Sequence, residues 1–157
     1  MESQLTILSE SLDRKLEVLQ KIQEYNKRQE EVFSAEKVDI RQFDAAVEEK
    51  QHLIDEVVRL DDGFEILYEK LAKELEGNRQ RYAAQIKEMQ AKVAKVTELS
   101  VSVQAQEARN KKLVENYFAR ERAGIGQRRK SAKSAFDYYK SMSGAEYVLP
   151  QIRRAHV

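Results

Sequence analysis

The sequence predicts an all-α protein, built as an elongated antiparallel helical hairpin or a three-helix, coiled-coil-like bundle. Three observations predict this class. The only proline among the 157 residues is Pro150, and a proline inside a helix costs about 3 kcal/mol. Charged residues make up 35% of the chain. Apolar residues recur at alternating spacings of three and four, which is the period of one helical face. A single helix with one apolar stripe is marginal in water, so each must pack against another.

The first helix is predicted over residues 3–33. Its seam follows a heptad repeat, in which positions a and d face the partner helix. The seam residues are Leu5, Leu8, Leu12, Lys15, Leu19, Ile22, Asn26, Gln29 and Phe33. At Lys15 we expect the charged side chain to point outwards and Leu16 to take its place. Asn26 is either a polar device that fixes the register or a sign that the seam weakens near its end.

The second helix is predicted over residues 40–76. Asp39 is its expected N-cap, because a carboxylate can accept hydrogen bonds from the free N–H groups of the first turn. The predicted apolar face consists of Ile40, Phe43, Val47, Leu53, Ile54, Val57, Leu60, Phe64, Leu67, Tyr68, Leu71 and Leu75. Gly63 lies inside the helix and costs about 1 kcal/mol relative to alanine. We expect the helix to continue through it.

The third helix is predicted over residues 79–123, after a corner at Gly77-Asn78, where both residues tolerate the backbone that ends helices. The alternative is one unbroken rod through Gly77. The predicted seam consists of Tyr82, Ile86, Met89, Val93, Val96, Ser100, Val103, Glu107, Asn110, Val114 and Tyr117. The spacing persists through the polar members, which predicts a long helix.

These helices form one predicted unit, residues 1–123, followed by a basic, aromatic-containing segment and flexible tail at 124–157. Residues 1–76 carry 20 acidic and 11 basic side chains, whereas residues 77–157 carry 7 and 17. The acidic half either folds against the basic half, or the basic half presents a surface to nucleic acid or to an acidic partner.

The composition argues against catalysis. With two histidines and no cysteine, no nucleophilic triad can be assembled. Glu49 and His52 have the Glu-x-x-His spacing of di-iron bundles, but that chemistry needs a second such motif. Gly124-x-Gly126 lacks the preceding strand and third glycine of a phosphate loop, so we interpret it as a hinge. We expect no enzyme activity, no metal and no cofactor.

The composition also predicts the cellular compartment of the protein. The sequence contains no run of 18 apolar residues, so it predicts no membrane span. The lack of cysteine fits a reducing compartment. We therefore expect a cytoplasmic protein.

Two candidate binding surfaces lie near the end of the third helix and beyond it. The first is an apolar face for a helical partner, made of Leu113, Val114, Tyr117, Phe118, Ile125, Phe136 and Tyr139. The alternative is that the first helix or a second copy already covers it. The second is a basic patch of Arg120, Arg122, Arg128, Arg129, Lys130 and Lys133. Basic side chains followed by aromatic ones can bind nucleic acid.

The middle of the chain resembles the flagellar export chaperones of the FlgN type. The resemblance lies in Asp39-Ile-Arg-Gln-Phe43 and in Glu49-Lys50-x-x-Leu53-Ile54-x-Glu56-x-x-x-Leu60-Asp61, within a helical layout that spans about residues 5–118. It implies a cytosolic, non-catalytic chaperone that holds hook–filament junction subunits and delivers them to the type III export apparatus.

The resemblance also implies a site. Chaperones of this type bind the C-terminal helix of the client through their own C-terminal amphipathic region. The matching positions here are Leu113, Val114, Tyr117 and Phe118, with Phe136 and Tyr139 following. The chain departs from the family pattern in its basic stretch 120–133 and in its tail 141–157.

Two other functions fit the sequence. A self-associating structural coiled coil would be an obligate dimer, with its third helix covered by the second copy. A nucleic-acid-associated coiled coil would bind in a salt-sensitive way. The sequence leaves open the client, the oligomeric state and the role of the basic segment.

Overall fold

A computed structural model describes residues 1–121, which form three long helices. They are α1 (Glu2–Ser34), α2 (Ile40–Gly77) and α3 (Ala83–Arg120). This part of the chain contains no strand, and the predicted all-α class is confirmed. The helices run up, down and up: α1 packs against both α2 and α3, antiparallel to the first and parallel to the second.

Nearly every seam residue predicted for α1 is buried where the heptad places it, Asn26 and Gln29 included. The prediction for Lys15 is wrong. Its side chain is 3% exposed and forms an ion pair with Asp61 of α2, while Leu16 is half-buried. Lys15 can point inwards because α2 places a carboxylate at the same level of the bundle, so the buried ammonium keeps a partner of opposite charge.

The start of α2 is capped as predicted. Asp39 Oδ1 accepts hydrogen bonds from the backbone N–H groups of Arg41 at 3.0 Å and Gln42 at 3.3 Å. The helix continues through Gly63 without interruption, also as predicted. The centre of its predicted face is buried, and the flanking members are half-buried. Two charged residues outside the predicted face, Lys50 and Asp61, are buried as well.

The corner between α2 and α3 is real, so the alternative of one unbroken rod is wrong. Asn78 closes α2 by donating from its backbone N–H to Leu75 O at 3.1 Å and from Nδ2 to Glu74 O at 2.8 Å. The chain turns through residues 78–82, and α3 therefore begins at Ala83 rather than at 79. All the predicted seam positions from Tyr82 to Tyr117 are buried.

The buried apolar side chains form two clusters. The main core runs from the start of α1 to Val103 of α3. The second cluster lies at the end of the bundle where the chain turns from α1 to α2, and we call it the distal cluster. Its buried members are Phe33, Phe43, Val114 and Tyr117. A layer of buried polar side chains separates the two, and we call it the polar layer. Its members are Asn26, Gln29, Lys50, Gln106, Glu107 and Asn110.

Candidate partner-binding groove and polar layer

An open groove of about 500 Å³ lies between the C-terminal part of α1 and the N-terminal part of α2. It is lined along residues 25–35 on one side and 37–49 on the other. Its apolar lining comes from Val32, Phe43 and three alanines, which are Ala35, Ala45 and Ala46. Its charged lining residues are Arg28, Glu31, Lys37, Asp39 and Glu49.

The groove exists because several side chains that line it, where α1 and α2 meet, are small. An alanine ends at Cβ, so positions 35, 45 and 46 leave open the space that a leucine at the same place would occupy. Each wall is roughly 15 Å long, because a helix rises about 1.5 Å per residue. That length matches about three turns of a partner helix. A groove with an apolar lining and charged residues around it is suited to the apolar stripe of an amphipathic helix.

The polar layer is centred on Lys50, whose side chain is fully buried. Its Nζ donates to Asn26 Oδ1 at 2.7 Å and to Glu107 Oε1 at 2.6 Å. Burial lowers the pKa of Lys50 to about 8, and the carboxylate of Glu107 opposes that shift without cancelling it. One cation thus joins all three helices, because α1 supplies the amide, α2 the ammonium and α3 the carboxylate.

The amides of the layer continue this connection between α1 and α3. Asn26 Nδ2 donates to Gln106 Oε1 at 3.2 Å. Asn110 Nδ2 donates to the backbone carbonyl of Asn26 at 3.0 Å and to Gln29 Oε1 at 3.2 Å. Gln29 also lines the groove, and its buried Nε2 makes no hydrogen bond within the described chain. The polar layer and the groove therefore share a residue.

The heptad spacing of α2 indicates that position 50 is buried, although a lysine is not expected inside a bundle. Positions 43, 50, 57, 64 and 71 follow one another at intervals of seven, and the other four are the apolar residues Phe43, Val57, Phe64 and Leu71. Residues seven apart lie on the same side of a helix in a bundle. Lys50 therefore occupies a seam position, as Glu107 and Asn110 do in α3. The groove had no such signal, because it depends on how far apart α1 and α2 lie.

The apolar face predicted near the end of α3 is largely covered by the protein itself. Val114 and Tyr117 are 1% and 7% exposed, and the ring of Tyr117 packs edge-on against Phe33 at a centroid distance of 5.6 Å. Phe33 in turn contacts Phe43 at 4.8 Å. The expectation of a free strip is wrong for Val114 and Tyr117, because α1 and α2 extend far enough to cover them. Leu113 and Phe118 are half-buried against the same cluster.

The remaining predicted site residues are mostly outside the described residues. Arg120 is exposed in the last turn of α3. The other members of the basic patch lie beyond residue 121: Arg122, Arg128, Arg129, Lys130 and Lys133. The same is true of Ile125, Phe136 and Tyr139, so the structure does not describe these positions of the predicted apolar face.

His52 is exposed on α2. Residues 1–121 contain no group of three or more histidine, aspartate or glutamate side chains arranged to hold a metal ion. Within the same residues, none of the helices combines the length and the apolar character needed to span a membrane.

Comparison with protein-family models, with curated protein sequences and with solved structures finds no match to this chain.

Proposed function

We propose that this protein is a non-catalytic helical chaperone of the flagellar export type, which binds an apolar helix of a hook-associated client in the cytoplasm. The groove between α1 and α2 is the observation that carries the proposal. The segment that resembles FlgN-type chaperones begins at Asp39. Four of its residues line that groove, and they are Asp39, Gln42, Phe43 and Glu49. The resemblance and the groove thus fall on the same stretch of α2.

The proposed client is an amphipathic helix of about three turns. Such a helix is covered in an assembled filament but exposes its apolar stripe when its subunit is monomeric. The apolar lining would receive that stripe, and charges of both signs around the groove, Arg28 and Lys37 with Glu31 and Glu49, would favour one orientation of the client over the other. A free energy of about −8 to −12 kcal/mol, which is micromolar to nanomolar affinity, would hold the client until export.

This proposal moves the binding site from the end of α3 to the α1–α2 face. The earlier positions Val114 and Tyr117 serve the protein's own packing. The self-associating alternative required a second copy to cover the seam of α3, but α1 and α2 of the same chain already cover it. The proposal includes a second copy and the export apparatus as further partners.

Ala45→Glu tests the groove directly. Ala45 is exposed and lines the groove, so the added carboxylate would occupy the apolar lining while the seam of α2 stays unchanged. We expect the affinity for a peptide of the client's C-terminal helix, measured by titration calorimetry, to fall about tenfold or more, which is about 1.4 kcal/mol.

The matched control is Ala105→Glu, the same substitution at an exposed position of α3 away from the groove. It should bind the peptide as the natural chain does, and circular dichroism should show that both variants keep their helicity. Unchanged affinity in Ala45→Glu would rule out the groove as the client site.

A further inference from the structure

The buried members of the distal cluster are set apart from those of the main core by polar side chains that all three helices contribute. In α1, Asn26 and Gln29 fall between the main core and Phe33. In α2, Lys50 falls between Phe43 and Val57. In α3, the polar residues at 106, 107 and 110 fall between Val103 and Val114. The apolar seam of each helix is therefore interrupted at this level, and half-buried Ile54 of α2 is an apolar side chain that packs against both clusters.

Beyond the polar layer, α3 contributes few apolar side chains to the packing of the bundle. Beyond Asn110, its buried residues are Val114 and Tyr117, supported by half-buried Leu113 and Phe118. The opposite surface has the buried rings of Phe33 and Phe43 at its centre, with half-buried apolar side chains of α1 and α2 around them. The short connection between α1 and α2 keeps the two rings together. Separation at the distal cluster would thus release α3 while the α1–α2 hairpin stays closed.

We propose that residues 111–120 of α3 form a lid that opens as one unit from Phe33 and Phe43, with the polar layer as the boundary where opening stops. Local opening in proteins occurs in cooperative units whose limits follow the packing. The hydrogen bonds of Lys50 and Asn110 fix α3 at the boundary, and the main core beyond it stays closed. An open lid would uncover two buried aromatic rings, one of which, Phe43, also lines the groove.

Native-state hydrogen exchange on the full chain tests this inference without any client, so the result is separate from that of the proposed function. We expect the amides of residues 111–117 to share one opening equilibrium, with protection at least about tenfold lower than that of residues 86–103. Amides at the same level in α1 and α2, at 28–33 and 43–47, should keep the higher protection.

Ordinary fraying of a helix end predicts a different pattern, a gradient of protection that falls steadily towards Arg120. A gradient of that kind, or equal protection on both sides of the polar layer, would overturn the inference.

A variant in which three members of the polar layer become apolar adds a second test. Its substitutions are Asn26→Leu, Lys50→Met and Glu107→Leu. Joining the two clusters should slow exchange at 111–117 by about tenfold or more. Unchanged exchange there in a folded variant would also overturn it.

Discussion

Lys50 has the smallest exposed fraction of any charged side chain among residues 1–121. An ammonium group in such a place loses the hydration that it has in water, which several kilocalories per mole of partner interactions must offset. Glu107 and Asn26 supply those interactions from the two neighbouring helices. A pair of this kind adds little net stability, but it permits one alignment of the three helices, because any shift along the bundle separates the charges.

Removing Lys50 alone should therefore be far more harmful than replacing Lys50, Asn26 and Glu107 together by apolar residues. Lys50→Met leaves the carboxylate of Glu107 buried without this cation, and we expect a loss of about 3–5 kcal/mol in the free energy of unfolding. The variant Asn26→Leu, Lys50→Met, Glu107→Leu should recover most of that loss. Chemical denaturation followed by circular dichroism measures both values.

The control for this prediction is Lys73→Met, which changes an exposed lysine of the same helix and should alter stability by no more than about 0.5 kcal/mol. If Lys50→Met proves as mild as that control, the polar layer does not hold the ion pair described above.

At the residue scale, the sequence placed the polar seam residues of α3 correctly and the buried lysines of α1 and α2 incorrectly. Ser100, Glu107 and Asn110 continued an established spacing and were placed inside correctly. Lys15 was expected outside and Lys50 was left off the seam, because a charged residue is rarely buried unless it is paired. The pairing partners, Asp61 and Glu107, belong to other helices, so their proximity depends on the tertiary register and not on the local pattern.

At the scale of the helix, α2 shows how a long helix tolerates a residue of low helix propensity. Gly63 lies in its interior and is exposed, and a Cβ atom built there would meet no other atom within 4 Å. The tertiary packing on both sides of Gly63 keeps the helix intact, although glycine favours the unfolded chain through its larger backbone freedom.

Gly63→Ala should accordingly stabilise the protein by about 0.5–1 kcal/mol, because alanine reduces the entropy lost on folding and makes no clash. Thermal denaturation, monitored by circular dichroism, would report the change as a higher Tm. A lower Tm would show that another surface approaches the helix closely at this position.

The helix boundaries were predictable wherever a cap or a corner residue marked them. Asp39 marked the start of α2, and Gly77-Asn78 marked its end. The start of α3 was placed four residues too early, because residues 79–82 carry no strong breaker and still form a turn. The apolar period alone could not show that this turn stands outside the regular helix.

At the scale of the whole molecule, the bundle formed by residues 1–121 covers its own seams and leaves an open groove between α1 and α2. The all-α class followed from the absence of proline before Pro150 and from the period of the apolar residues. The groove could not be predicted in this way, because Ala45 and Ala46 look like ordinary helix residues until two helices are placed side by side. The location of the proposed client site therefore depends on the tertiary structure and could not be predicted from the sequence.

The central claim is that a partner helix binds in this groove. The most direct measurement is a hydrogen-exchange footprint of the full chain, taken with and without the peptide of a client's C-terminal helix. We expect protection to increase along residues 25–35 and 37–49, the two walls of the groove, and not along the exposed face of α3. Binding that leaves both walls unprotected would contradict it.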